Sequence, residues 1–170
     1  DNVARASGVI ASAGGGGKIL QMVQTEETSK VTYSTTSYGA VTGYEVAITP
    51  TKESSKIQVV LTIGEMGCTG GSGFKFARDI DGGGYTYLTP IGDSDGARTQ
   101  CYFYGAGNQG PKTIVLLDSP SYTLTNVLTY QLHARAGSGD SIYFGSDTTD
   151  NNYDYRWRAA SNMQLWEISA

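Results

Sequence analysis

The sequence has little charge, one histidine and two cysteines. Charged residues make up 16% of its 170 residues, with a net charge of −4 and no block of one sign. A nucleic-acid groove needs clustered Lys and Arg, so that class is excluded; Arg156-Trp157-Arg158 is the one local hint, and Asp150 and Asp154 sit beside it. No run approaches the ~18 apolar residues that cross a bilayer, which excludes membrane insertion by a helix, and no segment reads as a signal peptide. Any Ser-His-Asp arrangement would have to use His133, and no Gly-x-Ser-x-Gly elbow lies between a strand and a helix. Cys68 and Cys101 supply no disulfide framework and match no zinc spacing. They read as two free, mostly buried thiols, with a single disulfide as the open alternative.

What is abundant is glycine, 23 residues against a usual share of ~7%, together with 12 tyrosines and many Thr and Ser. These residues are poor in helix interiors and suit short strands and tight turns. The chain is organised around residues 56–66, where Ile57, Val59, Leu61 and Ile63 alternate at period two and Val60 adds an apolar group to the other face. Pro50 ends the strand before it.

Further strands are predicted at 18–25, 31–36, 44–49, 74–81, 85–91, 98–105, 113–118 (short and buried), 127–135, 141–146 and 162–169. Residues 67–73, with four glycines in seven, read as a loop, and Gly82-Gly83-Gly84 as a hairpin turn. In 127–135, Leu128, Tyr130, Leu132 and Ala134 point inward and Thr129, Gln131, His133 and Arg135 outward, so His133 reads as a solvated strand residue. About ten short strands, no convincing helix and no internal repeat predict an all-β antiparallel β-sandwich, jelly-roll-like. Residues 1–17 are mostly small and end in four glycines, a flexible arm or linker; 18–170 form one domain. A start at Asp1 without Met predicts a piece of something longer.

Both terminal strands are apolar on both sides: Leu20 and Met22 opposite Ile19 and Val23, Trp166 and Ile168 opposite Met163 and Leu165. A two-layer monomer has one inner face per sheet, so Leu20, Met22, Trp166 and Ile168 predict a self-association surface.

An ordered set of motifs runs from Gly17 to the C-terminus. It comprises Gly17-Lys-Ile-Leu-Gln-Met-Val-Gln24, Thr42-Gly43 with Val46-Ala-Ile-Thr-Pro50, Ser54-Ser-Lys-Ile57 leading into an aliphatic strand, Leu117-Asp-Ser-Pro120, Tyr130-Gln-Leu132 and Leu165-Trp-Glu-Ile168. In this the chain resembles the β-sandwich modules that end tail fibres and other virion fibres of marine phages and related viruses. The resemblance implies a virion-surface protein, a homotrimer, joined to other virion proteins through the arm and meeting the host with loops at one end. The sequence departs from that pattern at 74–104 and 147–158, so the target does not carry over.

Exposed tyrosine and tryptophan are good contact residues, large and stiff with a polar tip, and sugar rings stack on them. Candidate receptor or glycan contacts are therefore Tyr85 and Tyr87, and Tyr153, Tyr155 and Trp157 beside Arg156 and Arg158; Tyr102 and Tyr104 alternate in the same way. No catalytic residue, metal or cofactor is predicted. Asp79-Ile-Asp81-Gly82 and Asp93-Ser-Asp95-Gly96 resemble calcium loops, but Gly83 and Pro90 stand where the EF-hand pattern wants ligands, so both read as turns. The expectation is a non-enzymatic attachment protein. The alternatives are a structural capsid decoration or fibre subunit, and a polysaccharide hydrolase drawing its carboxylate pair from Glu65, Asp147, Asp150 and Asp154.

Overall fold

The computed structural model describes residues 17–149, 151, 152, 154 and 157–170. Of the predicted arm only Gly17 is among them. The described residues contain eleven strands and no helix. They are β1 (Ile19–Glu27), β2 (Val31–Tyr33), β3 (Gly39–Ile48), β4 (Lys56–Ile63), β5 (Met66–Ile80), β6 (Thr86–Tyr87), β7 (Phe103–Asn108), β8 (Lys112–Asp118), β9 (Leu128–Ala136), β10 (Ile142–Phe144) and β11 (Ser161–Ile168).

One sheet has the order β1-β11-β4-β8, the other β2-β10-β5-β9-β3, with β6 and β7 along the remaining edge of β5. All these pairings are antiparallel. The chain changes sheet from β1 to β2, β3 to β4, β4 to β5, β7 to β8, β8 to β9 and β10 to β11, the winding of a jelly-roll sandwich.

The period-two pattern places the core. Ile57, Val59, Leu61 and Ile63 of β4 and Met163 and Leu165 of β11 are fully buried against Phe74 and Phe76 of β5 and Leu128, Tyr130 and Leu132 of β9. Each such side chain contributes on the order of 1.5–3 kcal/mol by leaving water. Phe74 stacks on Phe103 at 4.4 Å between ring centroids, and Tyr44 packs on Phe144 at 5.0 Å. Across the sandwich Arg78 of β5 pairs with Asp118 of β8 at 2.5 Å, and the Tyr130 hydroxyl donates to the same carboxylate at 2.8 Å.

Several expectations need correction. The strand predicted over 56–66 stops at Ile63, because the chain turns a corner at Gly64, where any Cβ would strike the Ala160 carbonyl. The glycine-rich 67–73 is no loop but the first half of the 15-residue β5. Its glycines answer crowding: a Cβ on Gly67 would lie 2.5 Å from the Thr148 amide nitrogen, one on Gly70 would strike the Asp140 carboxylate, and one on Gly73 the Tyr38 hydroxyl. The strand at 113–118 is buried on one face only, through Leu116 and Ile114. It is the edge strand β8, with Val115 and Leu117 half exposed.

The strand predicted at 98–105 starts only at Phe103; Tyr102, just before it, packs on Phe76 and donates to the Val115 carbonyl at 2.8 Å. In β1 an irregularity at Leu20 shifts the register, so Ile19 faces Ile168 and Met22 faces Trp166. Ile168 and Trp166 share a face. Ile19 therefore joins Met22 on the outer side, and Leu20 is the half-buried extra residue. Cys68 and Cys101 are free thiols, Cys68 buried in the core and Cys101 beside Gly73 on the outer side of β5.

Candidate functional site

The outer face of the seven-stranded sheet is built on the odd positions of β5 and β9. Lys75 lies opposite His133, and Ala77 lies between Gln131 of β9 and Tyr87 of β6. The β5–β6 hairpin makes this possible. Asp79 accepts hydrogen bonds from the Gly82 and Gly84 amides at 2.6 and 2.5 Å, and Asp81, Gly82 and Gly84 all adopt positive φ. Glycine takes that conformation without strain. Asp81 in turn accepts the Val127 amide at 2.7 Å. Both carboxylates thus serve the turn, as the sequence reading holds.

The hairpin lays two tyrosines over the sheet. Tyr85 and Tyr87 remain 44% and 39% exposed, while His133 beneath them is 9% exposed. Their rings lie 5.7 and 5.4 Å from the imidazole. His133 is therefore not a solvated residue; the hairpin that covers it lies some fifty positions earlier in the chain. Gln131 Oε1 can only accept, so His133 Nε2 donates to it at 3.1 Å and Nδ1 accepts from the Tyr87 hydroxyl at 3.2 Å. Burial lowers the imidazole pKa below its ordinary 6.5, consistent with this neutral tautomer. Gln131 donates onward to Glu45, whose carboxylate also accepts the Tyr85 hydroxyl at 3.1 Å. Burial and the Glu45 carboxylate push the Tyr85 phenol up to about 12, so it stays a neutral donor.

Next to this network stands a second aromatic pair. The Lys75 ammonium lies 4.3 Å from the Tyr38 ring centroid and 4.8 Å from that of Tyr87, a cation between two π faces. Tyr38 meets Tyr87 edge-on at 5.9 Å, and its hydroxyl donates to the Gln100 carbonyl at 2.7 Å. The result is a half-open aromatic platform, its hydroxyl tips held by hydrogen bonds and its cation seated between two rings.

No known protein-family model matches this chain, and no curated protein sequence matches it.

Beyond Tyr38 the face opens into a cleft of about 230 Å³, bordered by Gly71, Gly73, Arg98, Thr99, Tyr104 and Arg135. Arg135 donates from Nε to the Thr36 carbonyl at 2.7 Å and from Nη1 to Thr99 Oγ1 at 2.9 Å. Tyr104 is largely exposed.

Of the predicted contacts, Tyr85 and Tyr87 come together here. Tyr153, Tyr155, Arg156 and Asp150 lie outside the described residues. Trp157 is three-quarters exposed, and Arg158 is also exposed. Both belong to the other end of the sheet, where Ala159 bonds the Gly145 carbonyl and Thr148 bonds Asn108 opposite Gly67. Gly67 and Ala77 are ten positions apart on β5, on the order of 30 Å at the rise of a strand. Tyr104 points outward from β7, whereas Tyr102 is turned into the sandwich. Tyr38, Lys75, Glu45 and Gln131 escaped the sequence reading: Tyr38 follows a polar loop, and the other three look like ordinary solvent-side residues of alternating strands. Among the described residues no group of three or more His, Cys, Asp or Glu could hold a metal.

Proposed function

We propose that this chain is the attachment module of a virion fibre, a non-enzymatic sandwich that grips a host-surface glycan or receptor. The observation that carries the reading is the platform of Tyr85, Tyr87, Tyr38 and Lys75 over His133. Flat, rigid aromatics with neutral hydroxyl tips suit the apolar face and ring hydroxyls of a pyranose. The virion setting rests on the family resemblance; the sheet-borne platform takes the place that the resemblance gives to terminal loops. Trp157, at the far end, is a second and separate contact surface.

In this reading the module works as a homotrimer at the particle surface, tied to other virion proteins through residues 1–17. Each copy binds weakly, and several copies together supply avidity. Self-association uses the outer face of the four-stranded sheet. There Met22, Trp166 and Ile168 share a surface with Ile19, Val115 and Leu117, while the ligand platform on the opposite face stays open.

The test is a glycan array probed with the wild-type chain and with a Tyr85→Ala/Tyr87→Ala variant. Binding that the variant loses at unchanged melting temperature supports attachment. Released oligosaccharide would instead mark a hydrolase. The apolar row of Met22, Trp166, Val115 and Leu117 also favours a second reading, a structural decoration or fibre subunit without a receptor. Absence of any glycan or cell binding, together with firm association to capsid or fibre proteins, decides for that one.

A further inference from the structure

A chain of net charge −4 gathers Lys75, Arg98 and Arg135 on one sheet face. Of the carboxylates that border them, Asp95 pairs with Arg98, while Glu45 and Asp140 keep their charge and accept the Tyr85 hydroxyl and, at 3.4 Å, the Thr69 hydroxyl. Arg135 is held from behind by Thr36 and Thr99 through Nε and Nη1. Its Nη2 donors have no partner among the described residues, and the residue lines the cleft. A guanidinium fixed in this way offers a planar, pre-oriented edge, the geometry that matches a carboxylate. Gly71 and Gly73 line the floor, where the Tyr104 and Tyr38 hydroxyls approach them closely, and Tyr104 offers a further stacking face.

The cleft adjoins the aromatic platform. Arg135 pairs with Gly73 and His133 with Lys75, two positions along the same strands, a step of about 7 Å and thus within the reach of one or two linked sugar rings. We infer that the cleft is a subsite for the carboxylate of an acidic sugar, a hexuronic or sialic acid residue, whose neighbouring ring lies on Tyr87 and Tyr38. This rests on the glycan-attachment reading and adds to it the chemical class of the sugar. Lys75 adds a second cation on the same face, Arg98 offsets the charge of Asp95 at the rim, and the Arg135 guanidinium supplies the directional contact.

The experiment is calorimetric titration of the full chain with uronate- and sialic-acid-bearing oligosaccharides and with the same oligosaccharides after carboxyl reduction. The expected result is binding about tenfold or more tighter for the carboxylate forms, since hydrogen bonds to a charged group are the strong ones. That preference weakens as salt is raised. Arg135→Lys keeps the charge but loses the fork, and removes most of the preference. Should that variant fold poorly, Arg98→Gln, at an exposed position, still lowers acidic-sugar affinity several-fold without touching the reduced forms. Equal affinity for native and reduced sugars overturns the acidic subsite while leaving glycan attachment standing. Failure to bind either form overturns both.

Discussion

Glu167 ends a strand whose buried face reads Met163, Leu165, Glu167, where a third hydrophobe would be expected. It is fully buried, and it holds the turn before β4. Its carboxylate accepts the Thr51 amide at 2.9 Å, the Thr51 hydroxyl at 2.9 Å, the Lys52 amide at 3.0 Å and Gln21 Nε2 at 2.8 Å. Burial by itself would raise its pKa. The donors from Thr51 and Gln21 outweigh that and hold it below the ordinary 4.5. A carboxylate with a depressed folded pKa stabilises the fold above its unfolded pKa, and that contribution is lost as pH falls through 4.5 toward the folded value. Glu167→Gln leaves donors facing an amide, and is expected to cost about 1–3 kcal/mol at neutral pH. It should also flatten the acid limb of the stability curve, measured by urea unfolding across pH. An unchanged limb would mean that other carboxylates set the acid sensitivity.

At the scale of elements, β5 is the spine of the larger sheet. β10 and β9 pair along one edge, and β7 and β6 along the other. Its glycines, which read as flexibility in sequence, mark places where a neighbour comes too near for a side chain. Gly67→Ala has to push back the backbone at Thr148, so it should lower the melting temperature although alanine is the better strand former. The strand is also tied to the opposite sheet through Arg78, Asp118 and Tyr130. Removing one partner strands a largely buried charge, so Asp118→Ala is expected to cost about 3 kcal/mol in urea unfolding. Replacing both members by hydrophobes, Arg78→Met with Asp118→Leu, should recover most of that loss. No recovery would mean that Tyr130 depends on the carboxylate more than Arg78 does.

At the scale of the whole molecule the two outer faces differ in character. That of the seven-stranded sheet is aromatic and hydrogen-bonded, with Lys75 and Arg135 set among carboxylates. That of the four-stranded sheet runs from Met22 and Trp166 on one side to Leu117 and Val115 on the other, and the glutamines Gln24 and Gln164 cross it. If copies meet there, Val115→Glu with Leu117→Glu lowers the solution mass, measured by light scattering, to that of one chain. Because both residues are half exposed, stability should change by no more than about 0.5 kcal/mol per site. Affinity for a single immobilised sugar is then unchanged, whereas retention on a densely coated surface falls. A wild-type chain that already runs as one copy at high concentration refutes the oligomer.

The sequence by itself determined the fold class and most of the core. Period-two alternation is a local property, and Ile57, Val59, Leu61, Ile63, Leu128, Tyr130 and Leu132 announce their buried face whatever they pack against. It also offered Tyr85 and Tyr87 as candidate contact residues, because they alternate on one strand face. Only the tertiary structure decided what lies under them. His133 and Lys75 reach the tyrosines through pairings between β5, β6 and β9, and Tyr38 and Arg135 arrive from segments about a hundred residues apart. The bulge at Leu20 and the crowding at Gly67, Gly70 and Gly73 belong to the same class. Register and close approach depend on which strands become neighbours, and a linear pattern holds no record of that.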